Sequence, residues 1–131
     1  TSTVFGQTSR DQQLCKKWII DKEAMKPVII ELLMASPQMA EFDKEMKKIT
    51  IDNAVNTLAR LKMHIQPNGK MLVQNDAGKD MGIWRFNADK TELYTQSSDG
   101  KTKENFLVET LTTDRLVLVG KKNVKLIFRR L

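Results

Sequence analysis

The stretch that decides the fold is LKMHIQ (61–66), PNG (67–69), KMLVQ (70–74), NDAGKD (75–80) and MGIWRF (81–86), and the same rhythm runs on to Leu131. NADK, SSDG, TTD and KK then separate TELYTQ, KENFLVETL, RLVLVG and NVKLIFRRL. Between residues 58 and 131 this gives seven candidate strands. They recur about every 8–12 residues, the spacing of an all-β meander that closes into a barrel or sandwich. Within them the side chains alternate. Leu61, Met63 and Ile65 oppose Lys62, His64 and Gln66, and Trp84 and Phe86 oppose Ile83 and Arg85. Phe106 and Val108 oppose Leu107 and Glu109, Leu116 and Leu118 oppose Val117 and Val119, and Val124, Leu126 and Phe128 form the last inward set. PNG is a strong hairpin turn, with Asn68 and Gly69 suited to positive φ. ADK and SDGK use the same chemistry, and KKN is less typical. Several strands are apolar on both faces, so helices or another subunit are expected to cover part of the outside.

Working outward, LCKKWIID (14–21) also alternates, with Leu14, Trp18 and Ile20 on one face and Cys15, Lys17 and Ile19 on the other. It supplies the eighth strand. Between it and the meander the period changes to that of a helix. Val28, Ile29, Leu32 and Leu33, then Met39, Phe42 and Met46, mark helices over about 25–35 and 37–48. Pro27 suits a first helical turn, and Ser36-Pro37 is an N-cap followed by proline at the first helical position. Asp52 is a candidate N-cap for a third piece carrying Ala54, Val55, Leu58 and Leu61. The expected architecture is mainly β. It is an antiparallel up-and-down barrel of about eight strands, with a helical insertion (about 24–58) between the first and second strands, over an open end or along a flank. Residues 14–131 form one domain, preceded by a disordered or extended lead-in over 1–13, which lacks the charged-then-apolar pattern of a signal segment.

The totals set further bounds. At 131 residues and 40% hydrophobic content the chain fits one folded domain. No apolar run approaches the roughly 18–20 residues of a membrane helix. The longest, PVIIELLMA, is interrupted by Glu31. Cys15 stands alone, which excludes an intrachain disulfide and a cysteine-based zinc site, and it reads as a half-buried strand thiol. The formal charge of +6 is dispersed among acids, with few aromatics, so nucleic acid is not an expected partner.

No catalytic constellation emerges. His64 is solitary and outward-facing, and Asp43 with Glu45, and Asp76 with Asp80, sit in contexts typical of a helix surface and a turn. Glycines 69, 78, 82, 100 and 120 fall at turns or strand ends and assemble no phosphate loop. The expectation is a non-enzyme without cofactor or metal. Trp18 together with Met63, Ile65, Met71, Val73, Trp84, Phe86, Phe106, Leu118 and Phe128 faces inward. In a barrel of about eight strands such a set either packs as a dry core or lines a cavity for one small ligand. That ligand would be apolar or amphipathic, and these residues other than Trp18 are the candidate site. The alternative is a protein or cell-envelope interaction module with a filled core, of unknown oligomeric state.

An early strand ending in tryptophan, a helical insertion, LKMHIQPNGKM, a GIW strand and a run of hairpins resemble the bacterial lipocalin-like domain proteins, which are calycin-type barrels. The resemblance implies an up-and-down barrel, often exported, and hence a secreted, periplasmic or envelope location. In lipocalins proper a Gly-x-Trp opens the first strand, and an arginine of the last strand packs over that tryptophan. Trp18 matches the tryptophan, Arg129 or Arg130 stands where the arginine would, and Lys16 replaces the glycine.

Overall fold

Four residues, KWII, close the barrel. In the computed structural model, which describes residues 10–131, they form β1 (Lys17–Ile20), and β1 pairs antiparallel on one side with β2 (Lys62–Ile65) and on the other with β8 (Lys125–Arg130). Between those two, β3 (Lys70–Asn75), β4 (Gly78–Phe86), β5 (Glu92–Gln96), β6 (Lys103–Leu111) and β7 (Arg115–Val119) each pair with the next strand. The result is a closed eight-stranded antiparallel barrel in sequence order. Closure satisfies every strand edge, which a seven-strand meander alone would leave open.

The inward alternation holds. Trp18, Ile20, Ile65, Leu116, Leu118 and Phe128 are buried, with Met63, Met71, Trp84, Leu93 and Val108, in one continuous core. A β-bulge between Val108 and Thr110 shifts the register of β6 against β7, which is how inward packing passes from Val108 to the buried Leu111. On the outer surface Met81, Ile83 and Leu107 remain exposed, so the doubly apolar strands are not covered by the helices there.

Three helices lie between β1 and β2: α2 (Lys22–Met34), α3 (Pro37–Ala40) and α4 (Lys44–Leu58). α2 begins earlier than expected because Asp21 caps it, its Oδ1 accepting from the Ala24 N–H at 3.2 Å. Pro27 therefore sits in the helix interior rather than the first turn, on the exposed side. Ser36 and Pro37 do start a helix, but α3 stops after one turn and the chain restarts at Lys44. The cap there is Asp43, accepting from Met46 N–H at 2.8 Å, so Asp52 lies inside α4 rather than opening a separate piece. Met25, Ile29 and Val55 reach into the barrel core, α2 touches β8, and the Ile127 N–H donates to Met25 Sδ at 3.2 Å. The helices thus close the barrel end where β1 runs out.

The other end is closed by a helix the periodicity did not announce. Arg10–Leu14 form α1, so the last part of the expected lead-in is helical, while residues 1–9 fall outside the described part. Leu14 and Cys15 are not strand residues. The indole N–H of Trp18 donates to Leu14 O at 2.9 Å and the Cys15 N–H to Asp11 O at 2.9 Å, bending the chain back over the opening. Leu14 still enters the core beside Trp18, from a helix instead of from β1. Arg10 Nε donates to Lys90 O at 3.0 Å and Lys90 Nζ stands 2.8 Å from Asp11 Oδ1, tying α1 to the β4–β5 turn.

Candidate ligand site

The nine residues expected to line a ligand cavity all face the barrel interior, but they divide by how much space remains around them. Ile65 and Phe128 have no accessible surface and Leu118 only 2%. Around these the interior is filled by neighbouring side chains. Met63, Met71 and Trp84 keep a little surface, and Val73, Phe86 and Phe106 are half-buried. Trp84 and Phe86 meet edge-on with centroids 5.7 Å apart, and the Trp84 indole N–H donates to Gln66 O at 2.8 Å. That bond satisfies the polar edge of the ring against the PNG turn, a structural use of the side chain.

Beside Trp84, a recess of about 480 Å³ is walled by Asp11, Gln12, Cys15 and Pro67. Burial pushes the Cys15 thiol above its usual range, and the Asp11 carboxylate adds to the effect. The thiolate, the reactive form, is thereby disfavoured. His64 lies on the outside of β2, half-buried, in a shallow depression of about 270 Å³ with Lys17, Lys62, Leu72 and Leu131. The carboxylates are in structural use: Asp43 caps α4, Asp76 pairs with Arg60 at 2.7 Å, and Asp80 accepts from the backbone N–H of Ser98 at 3.2 Å. Among the described residues no three His, Cys, Asp or Glu side chains cluster to hold a metal ion.

An apolar concavity lies between α2 and α4, outside the barrel. Ile30 and Met34 of α2 and Ile51 of α4 form its floor, and Lys26, Lys44, Lys47 and Lys48, with Glu45 and Asp52, form its rim. Its volume is about 670 Å³. The helices run antiparallel, so Met34 faces the Lys44 end and Lys26 the Asp52 end; a second depression, of about 330 Å³, continues past Lys26 to Lys22, Glu23 and Asn56. The sequence pattern did not single out Ile30, Met34, Ile51 or the four lysines. A signal was present, because Val28 to Met34 holds more apolar side chains than one face of a helix can bury. Ile29 enters the core, whereas Leu32 and Met34 are left about half exposed, at 48% and 50%.

No family model matches the chain, and no curated protein matches it in sequence. A search of solved structures finds the crystal structure, at 1.00 Å resolution, of a DUF4847 family protein from Bacteroides vulgatus. It aligns with a TM-score of 0.57 at 9% identity, over 88% of this chain and 92% of that one. The likeness shows the fold alone. The barrel with its helical insertion is therefore an architecture also seen in a protein of an uncharacterised family, and the site has to be argued from this chain's own residues.

Proposed function

We propose that the protein is a non-catalytic binding protein of the lipocalin-like kind that holds one small apolar or amphipathic molecule, seated between α2 and α4. One contrast carries the reading: the barrel axis is filled at Ile65, Leu118 and Phe128, while the α2–α4 groove is open, floored by Ile30, Met34 and Ile51, and about 670 Å³ in volume. Pockets for single small molecules span about 300–1,000 Å³ and are mostly apolar with a few polar groups at the edge. In this account the barrel is a rigid platform. Met25, Ile29 and Val55 anchor the helix layer in it, which fixes the spacing of the groove walls.

Titration with an environment-sensitive apolar fluorophore tests the proposal. Saturable binding is expected, and Met34→Glu, at a half-exposed position, should abolish it without unfolding the chain. Trp84→Phe and Phe86→Leu should leave it within about twofold. Absence of saturable binding, or loss only in the Trp84 and Phe86 variants, would sink the reading.

A second reading has one specific support. Leu72 and Met81 are cross-strand partners on the outer face of β3–β4, and Ile83 follows on the same face of β4, so a short apolar strip faces solvent. Such a strip suits a protein interface. A solution mass that stays monomeric up to high concentration, and no chemical-shift changes at Leu72, Met81 and Ile83 on dilution, would dispose of self-association through it.

A further inference from the structure

The groove has a direction. At the Met34 end its rim carries Lys44, Lys47 and Lys48 against the single carboxylate of Glu45, whereas at the other end Lys26 faces Asp52. None of these four lysines makes an ion pair or a side-chain hydrogen bond among the described residues. The lysines that are engaged lie elsewhere, as Lys90 with Asp11 and Lys125 with Glu109. Three unpaired ammonium groups therefore stand at one end of an apolar trough, and the opposite end is close to neutral.

We propose, building on the reading just given, that the occupant is a single-chain anionic amphiphile, bound with its carboxylate, sulfate or phosphate head at Lys44, Lys47 and Lys48 and its hydrocarbon chain along Met34, Ile30 and Ile51 toward Lys26. The apolar floor removes the chain from water, which supplies most of the affinity. The lysines choose the head. They stand on one turn of α4, at spacings of three and four residues that place them on neighbouring faces. With Lys44 and Lys48 exposed and Lys47 half-buried, each contributes modestly, but three acting on one anion discriminate against a neutral head by about tenfold. The helix N-terminus adds its partial positive charge on the same side, although Asp43 already occupies part of it. A bilayer surface fits the geometry less well, because the trough is concave and α2 to α4 carry Glu23, Glu31, Glu41, Asp43, Glu45 and Asp52 against five lysines.

Decanoate and 1-decanol, each below its aggregation limit, separate the possibilities by titration against the intact chain. Decanoate is expected to bind about tenfold tighter. Lys44→Gln with Lys47→Gln and Lys48→Gln should reduce decanoate to the level of decanol, while Lys79→Gln, on β4 outside the groove, should change it by less than twofold; circular dichroism checks that each variant is folded. Raising the salt to 1 M, where screening acts over about 3 Å, should erase most of the difference. Equal binding of the two ligands, both lost in Met34→Glu, overturns the head-group inference and leaves the groove reading standing. Binding of neither overturns both. A preference for decanoate that survives the triple substitution places the anion elsewhere and also overturns the inference.

Discussion

Lys16 and Trp18 meet at the α1 end of the barrel: the ammonium stands 5.9 Å from the centroid of the buried indole and donates to the carbonyl of Thr113 at 3.0 Å. The cation over this tryptophan was expected from Arg129 or Arg130. Register does bring Arg130 opposite Trp18 and Arg129 opposite Ile19, yet both arginine side chains are exposed and neither makes a cation–π contact among the described residues. Lys16 supplies the charge instead, and it also fastens the β6–β7 turn to the start of β1.

Two substitutions separate packing from charge at this plug. Trp18 has no accessible surface, so Trp18→Ala should cost about 3–5 kcal/mol of stability in urea unfolding. Lys16→Gln, which removes a partly exposed cation–π contact and one hydrogen bond, should cost about 0.5–1.5 kcal/mol. A larger loss for Lys16→Gln than for Trp18→Ala would contradict this division.

Gly82 occupies the middle of β4, not a strand end, and a Cβ there would run into the backbone oxygen of Gln96. A side chain cannot be accommodated without displacing β5. Gly82→Ala should therefore destabilise by about 1–3 kcal/mol, the ordinary cost of overpacking, or prevent folding outright. Thermal unfolding measures it; an unchanged midpoint would show that the two strands do not approach so closely in solution.

The Cys15 thiol should react with a disulfide reagent more slowly at pH 8 than a free cysteine does, because burial and the Asp11 charge hold it protonated. Asp11→Asn should raise the rate only in part, since burial is the larger cause. It also removes the Lys90 pair, so folding must be checked alongside.

Two turns respond to acid. Asp89 accepts from Thr91 Oγ1 at 2.7 Å, and Asp99 from Ser97 Oγ at 2.6 Å and the Lys101 N–H at 2.9 Å; these bonds hold both carboxyls below the usual range. A depressed folded-state value contributes stability that is present above the unfolded-state value, about 3.9, and is lost as the pH falls through the folded one. Carboxyl chemical shifts should accordingly titrate below those of an aspartate in an unstructured peptide, and Asp99→Asn should remove that part of the acid dependence. Titration at the unstructured-peptide value would refute it.

The barrel was legible because period-2 alternation is a local property of each strand, and because Trp18 and Ile20 repeat the pattern before the helices. What was not legible depended on single contacts. α1 is only five residues, RDQQL, too short to show a period, and it is fixed by the indole N–H of Trp18 reaching Leu14 O. The restart of α4 at Asp43 was readable in principle, since aspartate before Lys-Glu-Met is a capping signal, but the apolar spacing of Met39, Phe42 and Met46 ran across it. KKN, the least typical of the expected turns, is a turn all the same, with Lys122 and Asn123 both at φ near +60°. The candidate groove depends on which apolar residues of α2 fail to reach the core, and periodicity along one helix does not contain that information.

The central claim is the location of the ligand, and a crystal grown with a terminally brominated fatty acid tests it most directly. Anomalous scattering should place the bromine between Ile30, Met34 and Ile51, in the trough between α2 and α4. Bromine inside the barrel, among Trp84, Phe86 and Phe106, or no ordered bromine at saturating concentration, would contradict the account.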